Sequence, residues 1–271
     1  MGGPRPLFSR GFLSLLGTQF LGAANDNVLK QVLVFMVATG IWSGSLAEGG
    51  LGDGGQSLPA LCLTIPFILF SGLAGQLADR FSKRSVMVAV KIAEVPIALL
   101  ALVGLLAQNL WITLAAMLLL AIQSALFGPS KYGVVPEIVG EERLSQANGL
   151  LNMLTNIAVI IGSLLAGPLS TAYDPDPATG AEPILWAPGA ALLAVALAGL
   201  LSVLAMPPLK AANPSLKLKF DLVGTYLQSF RDMSSTLLSV AIAWAGFYLV
   251  GMMSLLILPE YEKILAIGYT K

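Results

Sequence analysis

Histidine is absent from this chain, cysteine occurs once, and charged residues make up only 11% of it against 56% hydrophobic ones. Without imidazole there is no histidine for a zinc or haem site and no serine–histidine hydrolase arrangement. Cys62 has no second cysteine to bridge to, and inside an apolar run it reads as a small packing residue. A net charge of zero leaves no basic footprint for nucleic acid. The charged share lies far below the roughly 25% of soluble domains. Together with a mean hydropathy of +0.81 it points to an all-α polytopic membrane protein. No cofactor and no metal site are expected.

Hydropathy divides the chain into spans at about 12–41, 57–79, 85–107, 109–128, 146–171, 184–206 and 236–258, each near the roughly 20 residues that cross a hydrocarbon core. The first reads as an uncleaved span rather than a signal peptide, since it lacks a short core with a small-residue cleavage site. Gly22 and the run Asn25-Asp26-Asn27 supply poor helix formers at which this span is expected to bend. Lys and Arg collect at the N-terminus and after the even spans: Arg5, Arg10, Arg80, Lys83, Arg84, Lys131, Arg143, Lys210, Lys217, Lys219 and Arg231. The alternate loops hold Glu48, Asp53, Asp174, Asp176 and Glu182, or no charge. By the positive-inside rule the N-terminus is cytoplasmic, and the expected location is the inner membrane.

Intramembrane charge is the chemical signal. A carboxylate or ammonium at bilayer depth costs at least about 2.5 kcal/mol, so such groups face a water-filled cavity or a partner. Asp26 and Lys30 are four apart with the acid first, the favourable order for an ion pair on one helix face. Lys91 and Glu94 are three apart and have the same option. Counting along each helix puts the two pairs at different depths unless tilt or snorkelling brings them together. Three roles stay open for them: binding both charges of a zwitterionic headgroup, carrying a coupling proton or sodium ion, or neutralising each other to hold helices in register. Asn148, Asn152, Thr155 and Asn156 lie near one face of the fifth span, facing a cavity or tying helices together. Gln123 and Ser124 are weaker candidates. Lys131 and Tyr132 sit at the end of the fourth span, where they either hold a phosphate or simply set orientation. The run Gly49 to Gly55 has too few carboxylates for calcium and no Lys-Ser/Thr for phosphate, and reads as a flexible linker.

Between the second and third spans stands Gly75-Gln-Leu77-Ala78-Asp79-Arg80-Phe-Ser82-Lys83-Arg84. It resembles the major facilitator superfamily loop G-x-L-A-D-R-x-G-R-R, departing at Ser82 where the family prefers Gly. Here Gly75 is expected to allow close helix contact, and Asp79, Arg80, Lys83 and Arg84 to latch the cytoplasmic side. Phe127-Gly-Pro-Ser-Lys131-Tyr-Gly-Val-Val-Pro-Glu137 and Leu144-Ser-Gln-Ala-Asn-Gly-Leu150 resemble the lysophospholipid transporter family, closest to modules fused to acyltransferase and acyl-ligase domains. That family also carries a first-helix pattern like Ala24-Asn25-Asp26-Asn27 with a lysine matched by Lys30. The resemblance implies a twelve-helix facilitator fold moving lysophospholipid, chiefly lysophosphatidylethanolamine, to the cytoplasmic leaflet for reacylation. Proton-coupled transport of another small solute or a drug fits the same carboxylates. So does a membrane module of an acyltransferase fusion, although an H-x4-D motif cannot occur in a chain without histidine.

The expected organisation is a six-helix bundle over 1–206, a cytoplasmic connector over 207–235 and the first helix of a second bundle over 236–271. One bundle alone leaves a transport cavity half walled, so the sequence is expected to be part of a longer chain.

Overall fold

The computed structural model describes residues 6–38, 57–218 and 224–265. The glycine run with Asp53 and Glu48 lies outside these residues, as does Lys219. Two compact units are present, Met1–Phe220 and Asp221–Lys271.

The first unit is built from helices α1 (Arg10–Ala38), α2 (Ser57–Arg80), α3 (Lys83–Leu106), α4 (Leu110–Val139), α5 (Leu144–Tyr173) and α6 (Ala187–Leu204). Local chemistry places their ends. Ser82 caps α3 by accepting from the Ser85 amide, and Asn109 caps α4 by accepting from Ile112 N at 3.1 Å. Gln108 takes a positive φ of 49° to make the tight α3–α4 turn, and Gly140, at φ 79°, ends α4. Among the described residues, α3, α4, the stretch Glu141–Tyr173 and α6 are long and apolar enough to cross a membrane. Leu164 and Leu201, each 70% exposed, stand outward on the bundle, as a hydrocarbon solvent permits.

Helices α1 and α4 both run on through residues at which a bend or an end was expected. Helix α1 runs without a break through Gly22 and the Asn25-Asp26-Asn27 run. Its polar side chains turn back on the helix, Thr18 Oγ1 donating to Ser14 O at 2.7 Å and Asn27 Nδ2 to Ala23 O at 2.8 Å. Helix α4 extends well past the expected end at 128, through Pro129 and Pro136 to Val139. Prolines persist inside membrane helices because neighbouring elements re-satisfy the freed carbonyls. Lys131 therefore belongs to the helix rather than to a loop.

Packing follows an internal symmetry. Helix α1 lies against α5 and α6, as α4 lies against α2 and α3, while α3 meets α6 and α1 meets α4. Exchanging the first three helices with the last three reproduces these neighbours, the pattern of a three-helix repeat. Close approaches use glycine: a Cβ on Gly162 would stand 2.7 Å from Ala24 O, and one on Gly189 2.6 Å from Leu102 Cα. A Cβ on Gly75 would meet open space within the described residues.

The apolar core is divided in two. One cluster joins Leu29, Leu33 and Met36 to Leu105, Met117 and Leu192. The other joins Phe12 and Leu15 to Met87, Val134, Ile138 and Leu151. Between them, at the same level of α1, α3 and α4, buried polar residues Asn25, Lys91, Glu94 and Gln123 interrupt the hydrocarbon.

At the end of the bundle holding the α2–α3 turn, basic side chains are tied into the structure. Lys83 Nζ meets Glu137 Oε1 at 2.5 Å. Arg84 donates to Met206 O at 2.6 Å and to Leu204 O at 3.3 Å, fastening α3 to the end of α6. Asn213 N donates to Asp79 O at 2.8 Å, so the chain after α6 returns to the turn. The second unit contains the short helix α7 (Gly224–Asp232) and the long apolar helix α8 (Ser235–Leu265). Part of the stretch expected as a connector is thus helical.

Candidate functional site

A cavity of about 530 Å³ opens beside the polar layer. Helix α1 gives it Gln19, Asp26 and Asn27, α2 gives Phe67 and Ser71, and α3 gives Lys91. Helix α4 contributes Gln123, Ser124, Phe127, Lys131 and Tyr132, and α5 contributes Thr155 and Val159. Spacing explains the α4 set: Ser124, Phe127, Gly128 and Lys131 recur at three and four residues, one face of a helix.

The polar wall is one connected hydrogen-bond system. Lys91 Nζ donates to Glu94 Oε2 at 2.5 Å, and Gln123 Nε2 donates to the same oxygen at 3.0 Å. Glu94 Oε1 accepts from Asn25 Nδ2 at 2.9 Å. Glu94 is therefore held by three donors, as a carboxylate with 1% of its side chain exposed must be. From Gln123 the system continues to Ser124, whose Oγ lies 3.1 Å from Gln123 Oε1 and donates to Asp26 Oδ2 at 2.6 Å. Asp26 Oδ1 is buried with no hydrogen-bond partner among the described residues. Lys91 Nζ also sits 5.7 Å over the Phe127 ring.

The predicted charges thus sort themselves differently from their spacing. Lys91 and Glu94 do pair. Asp26 and Lys30 do not: Lys30 Nζ donates to Asn27 Oδ1 at 3.0 Å while Asp26 turns to Ser124 on α4. The two pairs also share a level, since Asn25 reaches Glu94 and Lys91 Nζ lies 2.8 Å from where a Cβ on Gly22 would stand. The reach of the Lys and Glu side chains brings the two pairs together. Asn25, Lys30 and Glu94 support the wall rather than line the cavity, whereas Asn27 and Lys91 line it.

On α5, Asn152 and Asn156 are exposed, and Asn156 Nδ2 bonds back to Asn152 O at 3.0 Å. Thr155, one residue away, is the member of that set on the cavity, and it accepts from Gln19 Nε2 at 3.0 Å. The loop residues Gly75, Asp79, Arg80, Lys83 and Arg84 do not line the cavity. The link that spacing missed is between Lys131 and Asp26, which line the same cavity from different helices. Lys131 Nζ stands 4.4 Å over the Tyr132 ring and forms no ion pair among the described residues. Its signal in the sequence was the shared helix face with Ser124.

Comparison with known proteins places this chain in a family. A peptide transporter crystallised with sulfate has the same fold, with a TM-score of 0.59 over 94% of this chain and 48% of that one at 17% identity. The lysophospholipid transporter LplT of Cronobacter sakazakii is 30% identical over 234 residues, covering 85% of this chain and 51% of its own length. Its counterpart in Serratia proteamaculans is 28% identical over 165 residues, covering 61% of this chain and 38% of its own. The chain thus spans about half the length, or less, of these curated relatives. The family model for the Major Facilitator Superfamily matches residues 47–270, and the chain belongs to that superfamily of multi-pass membrane transporters.

Proposed function

We propose that the protein, in its complete form, moves lysophospholipid such as lysophosphatidylethanolamine across the inner membrane by alternating access, for reacylation on the cytoplasmic side. The relatives named lysophospholipid transporter support the substrate class. The observation that carries the reading is that one cavity presents a carboxylate, Asp26, and an ammonium, Lys131, between the apolar surfaces of Phe67, Phe127 and Val159. A phosphoethanolamine headgroup needs both signs. Asp26 Oδ1, buried and unpartnered, is an acceptor for the ligand ammonium, and Lys131 takes the phosphate. Asn27 and Gln19 add neutral polar contacts, with Lys30 holding Asn27 in place. Lys91 is already neutralised by Glu94, so the pair stiffens the wall on which Asp26 stands.

The basic end of the bundle is cytoplasmic by the positive-inside rule. There Asp79, Arg80, Lys83 and Arg84, after Gly75, latch the structure when the cavity faces outward. Asp26 is also the seat for a coupling proton or sodium ion. Acyltransferase or acyl-ligase domains, on the same chain or another, consume the delivered lysolipid, and no catalytic step is assigned to these residues. The test is uptake of labelled lysophosphatidylethanolamine into vesicles carrying the complete reading frame, with an unrelated drug as control. Saturable lysolipid uptake without drug uptake supports the reading. Drug movement with no lysolipid movement by well-expressed protein overturns it in favour of a general facilitator.

A further inference from the structure

A second cavity, of about 480 Å³, lies on the other side of the α3–α4 contact. It is lined by Leu77 from α2 and Phe81 just after it, by Ser85, Ala89 and Ala93 among others from α3, and by Leu126 from α4. Helices α2 and α3 touch little, and α4 floors the gap between them. Small alanines at four-residue spacing on α3 leave the groove its width. Apart from the Ser85 hydroxyl, which lies 3.0 Å from Ser82 Oγ, its lining side chains are hydrocarbon. The headgroup cavity does not share these lining residues, since Val90 and Leu126 face this groove while their neighbours Lys91 and Phe127 face the other.

The mouth carries an uncompensated cation. Arg80 stacks its guanidinium 5.3 Å over the ring of Phe81, a lining residue that is 43% exposed. Of the three basic residues around the α2–α3 turn, Lys83 is neutralised by Glu137 and Arg84 is used on the carbonyls of Leu204 and Met206. Arg80 has no acidic partner among the described residues. An apolar trough ending at a guanidinium that has no acidic partner among the described residues, on the basic face of a membrane protein, is complementary to one ligand chemistry: hydrocarbon joined to a phosphate of net negative charge.

We infer that the groove between α2, α3 and α4 binds a diacyl anionic phospholipid of the surrounding bilayer, one chain lying along Leu77, Ala89 and Ala93 and the phosphate at Arg80. The inference is independent of what the transporter carries. The occupant is a lipid of the cytoplasmic leaflet, whose negative surface potential favours such a site. A bound chain also fills the gap where α2 and α3 make little contact.

Photocrosslinking of the complete protein in vesicles tests this. The probe is phosphatidylglycerol with a diazirine in one acyl chain, compared with phosphatidylcholine bearing the same chain, and labelled residues are mapped by peptide mass spectrometry. Phosphatidylglycerol is expected to label the groove residues about five-fold more than phosphatidylcholine, the preference of one surface cation. Arg80→Gln should remove that preference, Arg80→Lys should keep most of it, and Ala93→Trp, which fills the groove, should abolish labelling by both probes. Each variant is first shown to elute as a single folded species, and Ala89→Phe serves as the second filling variant if Ala93→Trp does not. Equal labelling by both lipids overturns the inference, as does labelling unchanged in Arg80→Gln or in the filling variant. Displacement of the label by excess lysophosphatidylethanolamine also overturns it, because the groove would then hold the transported lipid.

Discussion

Lys91 with Glu94 and Asp26 with Lys131 are two sets of opposite charge at one cavity and its wall, yet they are built for opposite ends. The first is closed: Lys91 and Glu94 are 2% and 1% exposed, and both oxygens of Glu94 are used, by Lys91, Gln123 and Asn25. The second is open, with one oxygen of Asp26 unpartnered and Lys131 resting on an aromatic face beside the cavity. A buried ion pair whose carboxylate is fully engaged is a structural element, since little of its charge remains for a ligand to gain. A carboxylate and an ammonium held apart on different helices and wetted by one cavity keep their interaction energy for something that binds between them. The hydroxyl of Ser124 and the amide of Gln123 connect the two sets, so the closed pair fixes the position of the open one.

The largest way to break this contrast is to open the closed pair. Lys91→Met strands Glu94 in a low-dielectric site and should cost about 3–5 kcal/mol, read as a lower midpoint of unfolding in detergent. The double variant Lys91→Met/Glu94→Gln should regain most of that loss. A double variant no more stable than the single one would mean that stranded charge is not the cost.

Asp26→Asn should do the reverse, leaving the unfolding midpoint near that of the parent while lowering lysophosphatidylethanolamine uptake roughly ten-fold or more, the worth of a charge-assisted hydrogen bond. Initial uptake rates alongside thermal melts separate the two effects. Gly162→Ala tests the α1–α5 approach that carries Asp26. With its Cβ 2.7 Å from Ala24 O, the backbone must shift, at about 1–3 kcal/mol. Unchanged stability would show that α1 and α5 have room to separate. The smallest effect is expected from Ser124→Ala, about 0.5–1.5 kcal/mol, with a selective rise in the half-saturating lysolipid concentration because Asp26 loses the hydroxyl that orients it.

Much of this architecture was readable beforehand, because apolar runs and the alternation of basic loops are properties of the chain itself. The pairing of Lys91 with Glu94 was also readable, three residues apart on one helix. Legibility ended where partners come from different helices. Asp26 has Lys30 at the favourable spacing, and only the packing of α4 against α1 shows that Ser124 takes its place. Pro129 and Pro136 look like helix ends in sequence but lie inside α4, which is why Lys131 reads as a loop cation and in fact faces the cavity. Asn152 and Asn156 differ from Thr155 by a fraction of a turn, and a helical period without known neighbours does not say which faces the cavity.

The central claim is that Asp26 and Lys131 read the two charges of one headgroup. Its most direct test is uptake of lysophosphatidylethanolamine and of lysophosphatidic acid, which lacks the ammonium, by parent, Asp26→Asn and Lys131→Met proteins expressed in the complete reading frame. The account predicts that Lys131→Met loses both substrates, whereas Asp26→Asn loses lysophosphatidylethanolamine preferentially. Equal losses of both substrates in Asp26→Asn, or full activity in Lys131→Met, would contradict it.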